Sequence, residues 1–244
     1  MNKNFFEKQM LVDGFNEDSL KKLLNSKVLI IGCGGVGHPA IIYLLSTGIG
    51  NLYIADDDLV DFNNLHRQFI FNQNDIGKSK VEIIKSRLAG KYPNSNIISI
   101  NKRIDEKYLF EIIDDIDVVI DASDNFETKF LLNKKSIQFK KKFVVGAISR
   151  FDGHIFVFNF NNTKNACLKC FYQEKPSDEI LNCDQEGILG TSASVIGSLQ
   201  ANEILKTVIG SKNILENSIL ILNTFNLKMR IVKFKKIKKC ICGS

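Results

Sequence analysis

Val28-Leu29-Ile30-Ile31-Gly32-Cys33-Gly34-Gly35-Val36-Gly37 is the stretch on which the fold turns. Four consecutive aliphatic residues read as a strand covered on both faces, and the glycines that follow bend the chain into an apolar helical stretch. Gly32 permits the tight exit from the strand. Gly34, with Gly35 beside it, lets backbone come close to a phosphate, and Gly37 lets the helix pack on the sheet, its N-terminus favouring negative charge. Pro39 falls in the first helical turn, where the amides have no intrahelical partner. Alone, the G-x-G-x-x-G spacing says only that a nucleotide could bind.

Outward from this turn, strands alternate with helices, the pattern of a parallel sheet covered on both sides. Strands are predicted at residues 28–31, 52–55, 97–100 and 118–120. Helices are predicted at 36–47, at 78–91 with Val81, Ile84 and Leu88 on one face, and at 126–139. Strand-like runs at 143–148, 154–160, 219–222 and 229–234 then surround a cysteine-bearing irregular stretch and a helix at 194–208. The expected architecture is α/β and Rossmann-like: a mostly parallel sheet extended by antiparallel strands in the C-terminal half. The length of 244 residues, with 44% apolar content and no Pro/Gly/Ser linker, fits a single domain over 1–244, with a nucleotide-binding half at 1–150.

The formal charge of +6 owes much to Lys228, Arg230, Lys233, Lys235, Lys236, Lys238 and Lys239. Only Phe234 lies among them, so stacking platforms for bases are missing, and the run reads as a solvated strand face rather than a nucleic-acid site. An acidic protein partner stays open. No apolar run approaches membrane-spanning length and the opening residues lack a signal-peptide pattern, so a cytoplasmic protein with no membrane partner is expected.

Chemistry enters with residues placed after the following strands. Asp56 ends the second strand, where a carboxylate can accept from ribose hydroxyls. Arg67 lies in Asn64-Leu65-His66-Arg67-Gln68 and Lys80 at the start of a helix; with Asp58 and Asp124 they make the parts of a phosphoryl or nucleotidyl transfer site. Cations stabilise charge on phosphate oxygens, and carboxylates hold magnesium. Asp124 also reads as a helix N-cap ahead of Asn125 and Phe126. An NAD-binding oxidoreductase or sensor module would use the glycines and Asp56, but would have no need for Arg67, Lys80 and Asp124 to converge.

The glycine turn, Ala55-Asp56-Asp57-Asp58-Leu59-Val60, Asn64-Leu65-His66-Arg67-Gln68, Gly77-Lys78-Ser79-Lys80 and Asp121-Ala122-Ser123-Asp124-Asn125 together resemble the ThiF/MoeB adenylyltransferases, relatives of the ubiquitin-activating enzymes. The resemblance runs over about residues 6–243. It implies an enzyme that uses ATP and magnesium to adenylate the C-terminal glycine of a small ubiquitin-like sulfur-carrier protein, for thiamine or molybdenum-cofactor biosynthesis. Asp56 would hold ribose, Arg67 and Lys80 would grip phosphates, and Asp124 would bind magnesium. The tripled aspartate and Asn182-Cys183 lean slightly toward the thiamine branch. Other relatives adenylate short peptides instead.

The resemblance also implies an arginine reaching in from a neighbouring subunit. Here Glu7-Lys8-Gln9 offers Lys8, which keeps the charge without the planar fork, and its use would require a homodimer. Six cysteines in a chain expected to be cytoplasmic argue for metal or catalysis over disulfides. Cys167-Leu168-Lys169-Cys170 has the spacing of half a zinc site, and the family completes it with a C-terminal pair, here Cys240-Ile241-Cys242, one residue short. Cys183 matches the position of a thiol that joins covalently to the carrier in relatives; an incidental exposed thiol is the alternative. His38, His66 and His154 read as structural or surface residues, Cys33 as a buried filler, Lys129 and Arg150 as minor candidates, and Gly197 and Ser198 as a close-packing point, conceivably between subunits.

Overall fold

The computed structural model describes residues 3–92, 94–176 and 187–243. Eight strands form one sheet in the order β3-β2-β1-β4-β5-β6-β7-β8. The first five, β1 (Lys27–Ile31), β2 (Asn51–Ala55), β3 (Asn96–Ile100), β4 (Val118–Asp121) and β5 (Lys142–Ser149), are parallel. The last three, β6 (Asp152–Asn159), β7 (Ser218–Asn223) and β8 (Lys228–Lys233), add on antiparallel. The mixed sheet read from sequence is therefore present, with its change of direction after β5.

Alternation of side chains along the strands splits the core in two. Val28 and Ile30 of β1 face one apolar layer with α1 (Glu17–Asn25), α2 (Gly37–Ser46), α3 (Lys80–Leu88) and the long C-terminal helix. Leu29 and Ile31 face the other, with α4 (Glu106–Ile112), α5 (Phe126–Gln138) and the short α6 (Leu168–Phe171). All four side chains of that tetrapeptide are buried, which is why the run has no polar alternation.

Three helices escape the sequence reading: α1, α4 and the short α6, which falls in the stretch expected to be irregular. α1 is capped by Asn16, whose side chain accepts from the Ser19 amide at 2.9 Å, and α4 by Asp105, accepting from Tyr108 at 2.7 Å. Both caps were visible in sequence, but the helices behind them, of nine and seven residues, are too short to show a clear helical period. The long helix α7 (Gly190–Ile209) begins four residues before the expected 194. Gly190 lies so close to the loop above it that an added Cβ would stand 2.6 Å from the His66 carbonyl oxygen, so α7 starts directly beneath the segment bearing Arg67. β8 is exposed at every residue, in keeping with a solvated basic face.

Gly197 is indeed a close-packing point, but inside the chain. A Cβ there would lie 2.1 Å from the Val36 carbonyl oxygen, which locks α7 against the start of α2. The contact between α7 and α2 thus replaces the subunit-interface expectation for this glycine. Ser198 Oγ donates back to the Ser194 carbonyl at 2.7 Å. Among the described residues no helix is long and apolar enough to cross a membrane.

Candidate functional site

The strand order reverses between β1 and β4, and loops leaving neighbouring strand ends part there to open a crevice. A cleft of about 320 Å³ occupies this position. Gly32, at φ 97°, packs so tightly that a Cβ would sit 2.6 Å from the carbonyl carbon of Ala122 in the β4–α5 loop. Gly37 would place a Cβ 2.1 Å from the Gly32 carbonyl oxygen, so the first turn of α2 can close only without a side chain there. Gly34 opens toward the cleft, with the Gln68 amide 3.8 Å from its ideal Cβ position.

The residues singled out in sequence collect on the cleft wall: Gly32, Gly34 and Gly35 on the turn, Asp56 and Asp58 after β2, then Asn64, Arg67, Lys80, Asp124 and Asn125. Gly37 stands behind the wall rather than on it. Asp56 bridges two segments: its Oδ2 accepts from the Cys33 amide at 2.6 Å and its Oδ1 from the Asp58 amide at 2.9 Å. Each carboxylate oxygen keeps a second lone pair for another donor. Burial pushes the Asp56 carboxyl up from its ordinary value, against the opposing pull of Lys80 and the two amides.

Lys80 is only 3% exposed, and its ammonium meets the Asp58 carboxylate at 2.7 Å. Asp58 itself is largely exposed, so the pair forms a cation anchored in the wall with a movable anion in front of it. Arg67 lays its stem against Gly35, 3.4 Å from that glycine's ideal Cβ position, and donates to the Asn63 carbonyl at 3.1 Å. A side chain at Gly35 would crowd Ala193, 3.2 Å from the ideal Cβ position, and any atom beyond the Cβ would meet the arginine stem.

The β4–α5 loop corrects one expectation. Asn125, not Asp124, caps α5, accepting from the Thr128 amide at 2.9 Å. Asp124 is thereby left exposed on the cleft, its Oδ1 3.4 Å from Asn125 Nδ2. Lys129 was read as facing the nucleotide or carrier side. It is instead 1% exposed behind the loop, paired with Asp121 at 3.0 Å. Burial raises Asp121, opposed by Lys129 and by Ser123. Arg150 sits at φ 53° in the tight β5–β6 turn and is not part of the cleft wall.

Among the wall residues not singled out, Lys102, Arg103 and Gln68 matter most for the site's charge and polarity. Lys102 and Arg103, after β3, add two cations; Lys102 lies 3.4 Å from the centre of the Tyr108 ring, and Arg103 pairs with Glu127 at 3.1 Å. Gln68 is buried on the wall with its Oε1 unpaired among the described residues. Gln68 lay within a quoted motif, but Lys102 and Arg103 have no local signal beyond following a strand.

The other histidines behave as expected. His38 is fully buried against Phe71, its Nδ1 3.0 Å from the Gly34 carbonyl oxygen. Burial lowers its pKa to about 4, which leaves the ring neutral. His66 is exposed, and His154 is partly buried with a lowered pKa from the same cause. Cys33 is wholly buried, as a filler should be. Lys8 is exposed on the N-terminal segment and does not line this chain's own cleft. Cys183 lies outside the described residues.

Far along the sheet, four thiols meet. Cys167 Sγ is 4.0 Å from Cys170 Sγ and 3.6 Å from Cys240 Sγ, and Cys170 Sγ is 3.5 Å from Cys242 Sγ. A tetrahedral zinc with bonds of about 2.3 Å separates its sulfurs by about 3.8 Å, so the spacing and the soft donor set fit that ion. The shortened Cys240-Ile241-Cys242 pair still delivers both thiols. Burial and the three neighbouring thiols hold Cys167 protonated well above the ordinary range, and burial pushes Cys242 up to about 12. A cation is what would allow such a group to ionise together.

A sheet in the order β3-β2-β1-β4-β5, with a glycine turn at its reversal and a cleft of mixed charge above it, defines a doubly wound α/β protein of the nucleotide-binding type. The chain belongs to the ThiF family, whose pattern matches residues 6–243. It is 34% identical over 234 residues to a probable molybdopterin-synthase adenylyltransferase of Gracilaria tenuistipitata var. liui, covering 96% of this chain and 65% of that one. It is 34% identical over 243 residues to the adenylyltransferase and sulfurtransferase UBA4 of Meyerozyma guilliermondii, covering 98% and 57%. The chain thus spans less than two thirds of the length of these two relatives. A sulfur carrier protein adenylyltransferase of Thermus thermophilus is 29% identical over 243 residues, with 98% and 90% covered. Among solved structures, E. coli MccB with MccA-N7isoASN superposes with a TM-score of 0.87 at 21% identity, covering 100% of this chain and 75% of that one. At that identity the fold is what the two share.

Proposed function

We propose that this chain adenylates the C-terminal carboxylate of a small ubiquitin-like sulfur-carrier protein at the expense of ATP. The observation that carries the reading is the meeting of Arg67, Lys80 and Asp124 with the glycine turn on a single cleft wall. A bare dinucleotide site has no use for that combination. Relatives whose names specify molybdopterin synthase or a sulfur carrier favour a carrier over a short peptide as substrate.

In the reaction, a carboxylate oxygen of the carrier attacks the α-phosphorus of ATP. The bond from that phosphorus to the bridging oxygen breaks, and pyrophosphate leaves with the electron pair. The glycine turn and the N-terminus of α2 offer amides to the phosphates, and Asp56 accepts from ribose hydroxyls with the lone pairs its backbone bonds leave over. Lys80 holds a cation in the wall where charge develops, and Arg67 supplies a fork that binds two oxygens at once. When the nucleotide approaches, Lys80 exchanges its exposed partner Asp58 for phosphate. Asp124, an exposed hard-oxygen donor, suits magnesium, which neutralises the triphosphate when bound. Asn64 and Asn125 supply neutral donors beside the phosphates.

The same reading assigns the half from 151 to 244 to the carrier and to a structural zinc held by Cys167, Cys170, Cys240 and Cys242. It assigns Lys8 to the site of a neighbouring subunit in a homodimer, and Cys183 to a covalent bond with the carrier.

ATP–pyrophosphate exchange with candidate carriers ending in Gly-Gly, beside a nicotinamide-binding assay, tests the reading. Exchange that depends on one carrier and on magnesium is the expected result. Tight nicotinamide binding with no exchange for any carrier would falsify it in favour of an oxidoreductase or sensor.

A further inference from the structure

We infer that Lys129 and Asp121 form a buried positioning pair that sets Asp124 on the cleft. Asp121 is the last residue of β4 and is fully buried; Lys129 lies on the inner face of α5 and is 1% exposed. Their ion pair spans 3.0 Å. Among the described residues, every other polar contact of the pair's side chains ends on Ser123, the residue directly before Asp124. Lys129 Nζ donates to the Ser123 carbonyl at 2.7 Å, and Asp121 Oδ1 accepts from the Ser123 amide at 2.9 Å and from its hydroxyl at 2.5 Å. The backbone of the same turn is held from a third side, where Gln200 Nε2 of α7 donates to the Asp121 carbonyl at 2.8 Å.

Stability alone gives no reason for this arrangement. Two charges withdrawn from water cost several kcal/mol each, and a hydrophobic pair of similar volume serves a core as well or better. What the charges add is direction, because three bonds hold the amide, the hydroxyl and the carbonyl of Ser123. The loop is also tied to the end of β1, where the Ala122 amide donates to the Ile31 carbonyl at 2.8 Å. Asn125 anchors the far side by capping α5. Asp124 is therefore the exposed carboxylate between two pinned neighbours, and Lys129 acts on the site through Ser123 without touching substrate. What the loop does rests on the adenylation reading above; how it is held rests on these contacts alone.

The test compares the full chain with Lys129→Met and Lys129→Arg, reading amide hydrogen exchange along residues 122–125 and the magnesium dependence of ATP–pyrophosphate exchange. The Met variant is expected to raise the magnesium needed for half-maximal rate about tenfold or more, as loss of an outer-sphere partner does, with the KM for carrier unchanged. Loop amides should lose protection ahead of the sheet, and arginine should restore both readouts. Should the Met variant fail to fold, Ser123→Ala removes only the hydroxyl link to Asp121 and should move both readouts the same way by a smaller factor. Protected loop amides and wild-type magnesium dependence in a folded variant overturn the proposal, as does failure of arginine to rescue. A wild-type chain without exchange activity refutes the adenylation reading instead, while the amide measurement still decides how the loop is held.

Discussion

Lys80 on the cleft wall and His38, buried behind it, show two uses of burial. Lys80 is nearly closed off from solvent with the Asp58 carboxylate 2.7 Å away, and under the proposed function that exposed aspartate would give way to a phosphate. Replacing Lys80 by Met retains the packed stem and deletes the cation. Exchange rates should fall by about 10²–10³, the loss typical of a donor that stabilises transition-state charge, while the melting temperature moves little. Arg67→Ala should behave alike, and wild-type exchange in either variant would remove that residue from the mechanism. His38 carries no charge at all. Its pKa falls from 6.5 to about 4 because burial penalises the imidazolium more than the carbonyls of Gly34 and Cys33 favour it. The folded state thus prefers the neutral ring, so its contribution is complete above pH 6.5 and drains away as pH falls through about 4. The depression is worth about 3 kcal/mol at pH 4. Denaturant titrations of wild type and His38→Gln should therefore converge in acid; parallel curves across that window would show that His38 does not titrate there.

At the scale of elements, the strand–turn–helix unit of β1 and α2 depends on backbone that no side chain permits. Gly32 combines φ 97° with a neighbouring carbonyl carbon 2.6 Å from any Cβ, whereas Gly77, at φ 81°, has open space around it. Gly77→Ala should cost only the left-handed conformation, about 1–2 kcal/mol. Gly32→Ala should cost clearly more, since β1 or the β4–α5 loop must also move, and the shift would carry Asp124 with it. Equal losses of stability in the two variants would mean that the loop yields freely. α7 shows the complementary case, in which an element positions a site from below. Gly190 and Ala193 bring its first turn against the Arg67 segment and Gly35, which supports the arginine's stem.

For the whole molecule, two assemblies of distant residues matter. The four thiols join a hairpin-free stretch around 167–170 to the C-terminal end at 240–242, and Lys236 reinforces the closure by donating to the carbonyls of Thr163 and Cys242 at 2.5 and 2.6 Å. Chelation should release about one zinc per chain and lower the melting temperature by about 5 °C or more, given that a chain of this size shifts by 2–4 °C per kcal/mol. Metal-free protein that melts at the same temperature would end the zinc assignment. The second assembly is the proposed homodimer. If Lys8 serves a neighbour's cleft, mixing the inactive variants Lys8→Ala and Arg67→Ala should restore exchange through heterodimers holding one intact site. Activity that stays absent on mixing, or Lys8→Ala at full rate alone, would return Lys8 to the surface.

Much of this protein was legible in its linear chemistry, for a physical reason. The aliphatic run 28–31, the glycine spacing and the helical period of Val81, Ile84 and Leu88 are local, and each dictates conformation within a few residues of itself. The parallel half of the sheet follows from their alternation; Asp56, Lys80 and Asp124 could be named because each follows a readable strand or opens a readable helix, and Arg67 because of the motif Asn64-Leu65-His66-Arg67-Gln68. Tertiary structure alone decided the rest. Whether Asp124 or Asn125 caps α5 depends on which side chain turns back to the Thr128 amide; why α7 starts at Gly190 depends on the loop above it. Lys129, a minor candidate in the sequence, and Asp121, part of a quoted motif, are eight residues apart, and nothing in the sequence joins them as a pair until β4 and α5 bury both. Burial is a property of three-dimensional neighbours, and it alone turns a charge pair into a fixed direction.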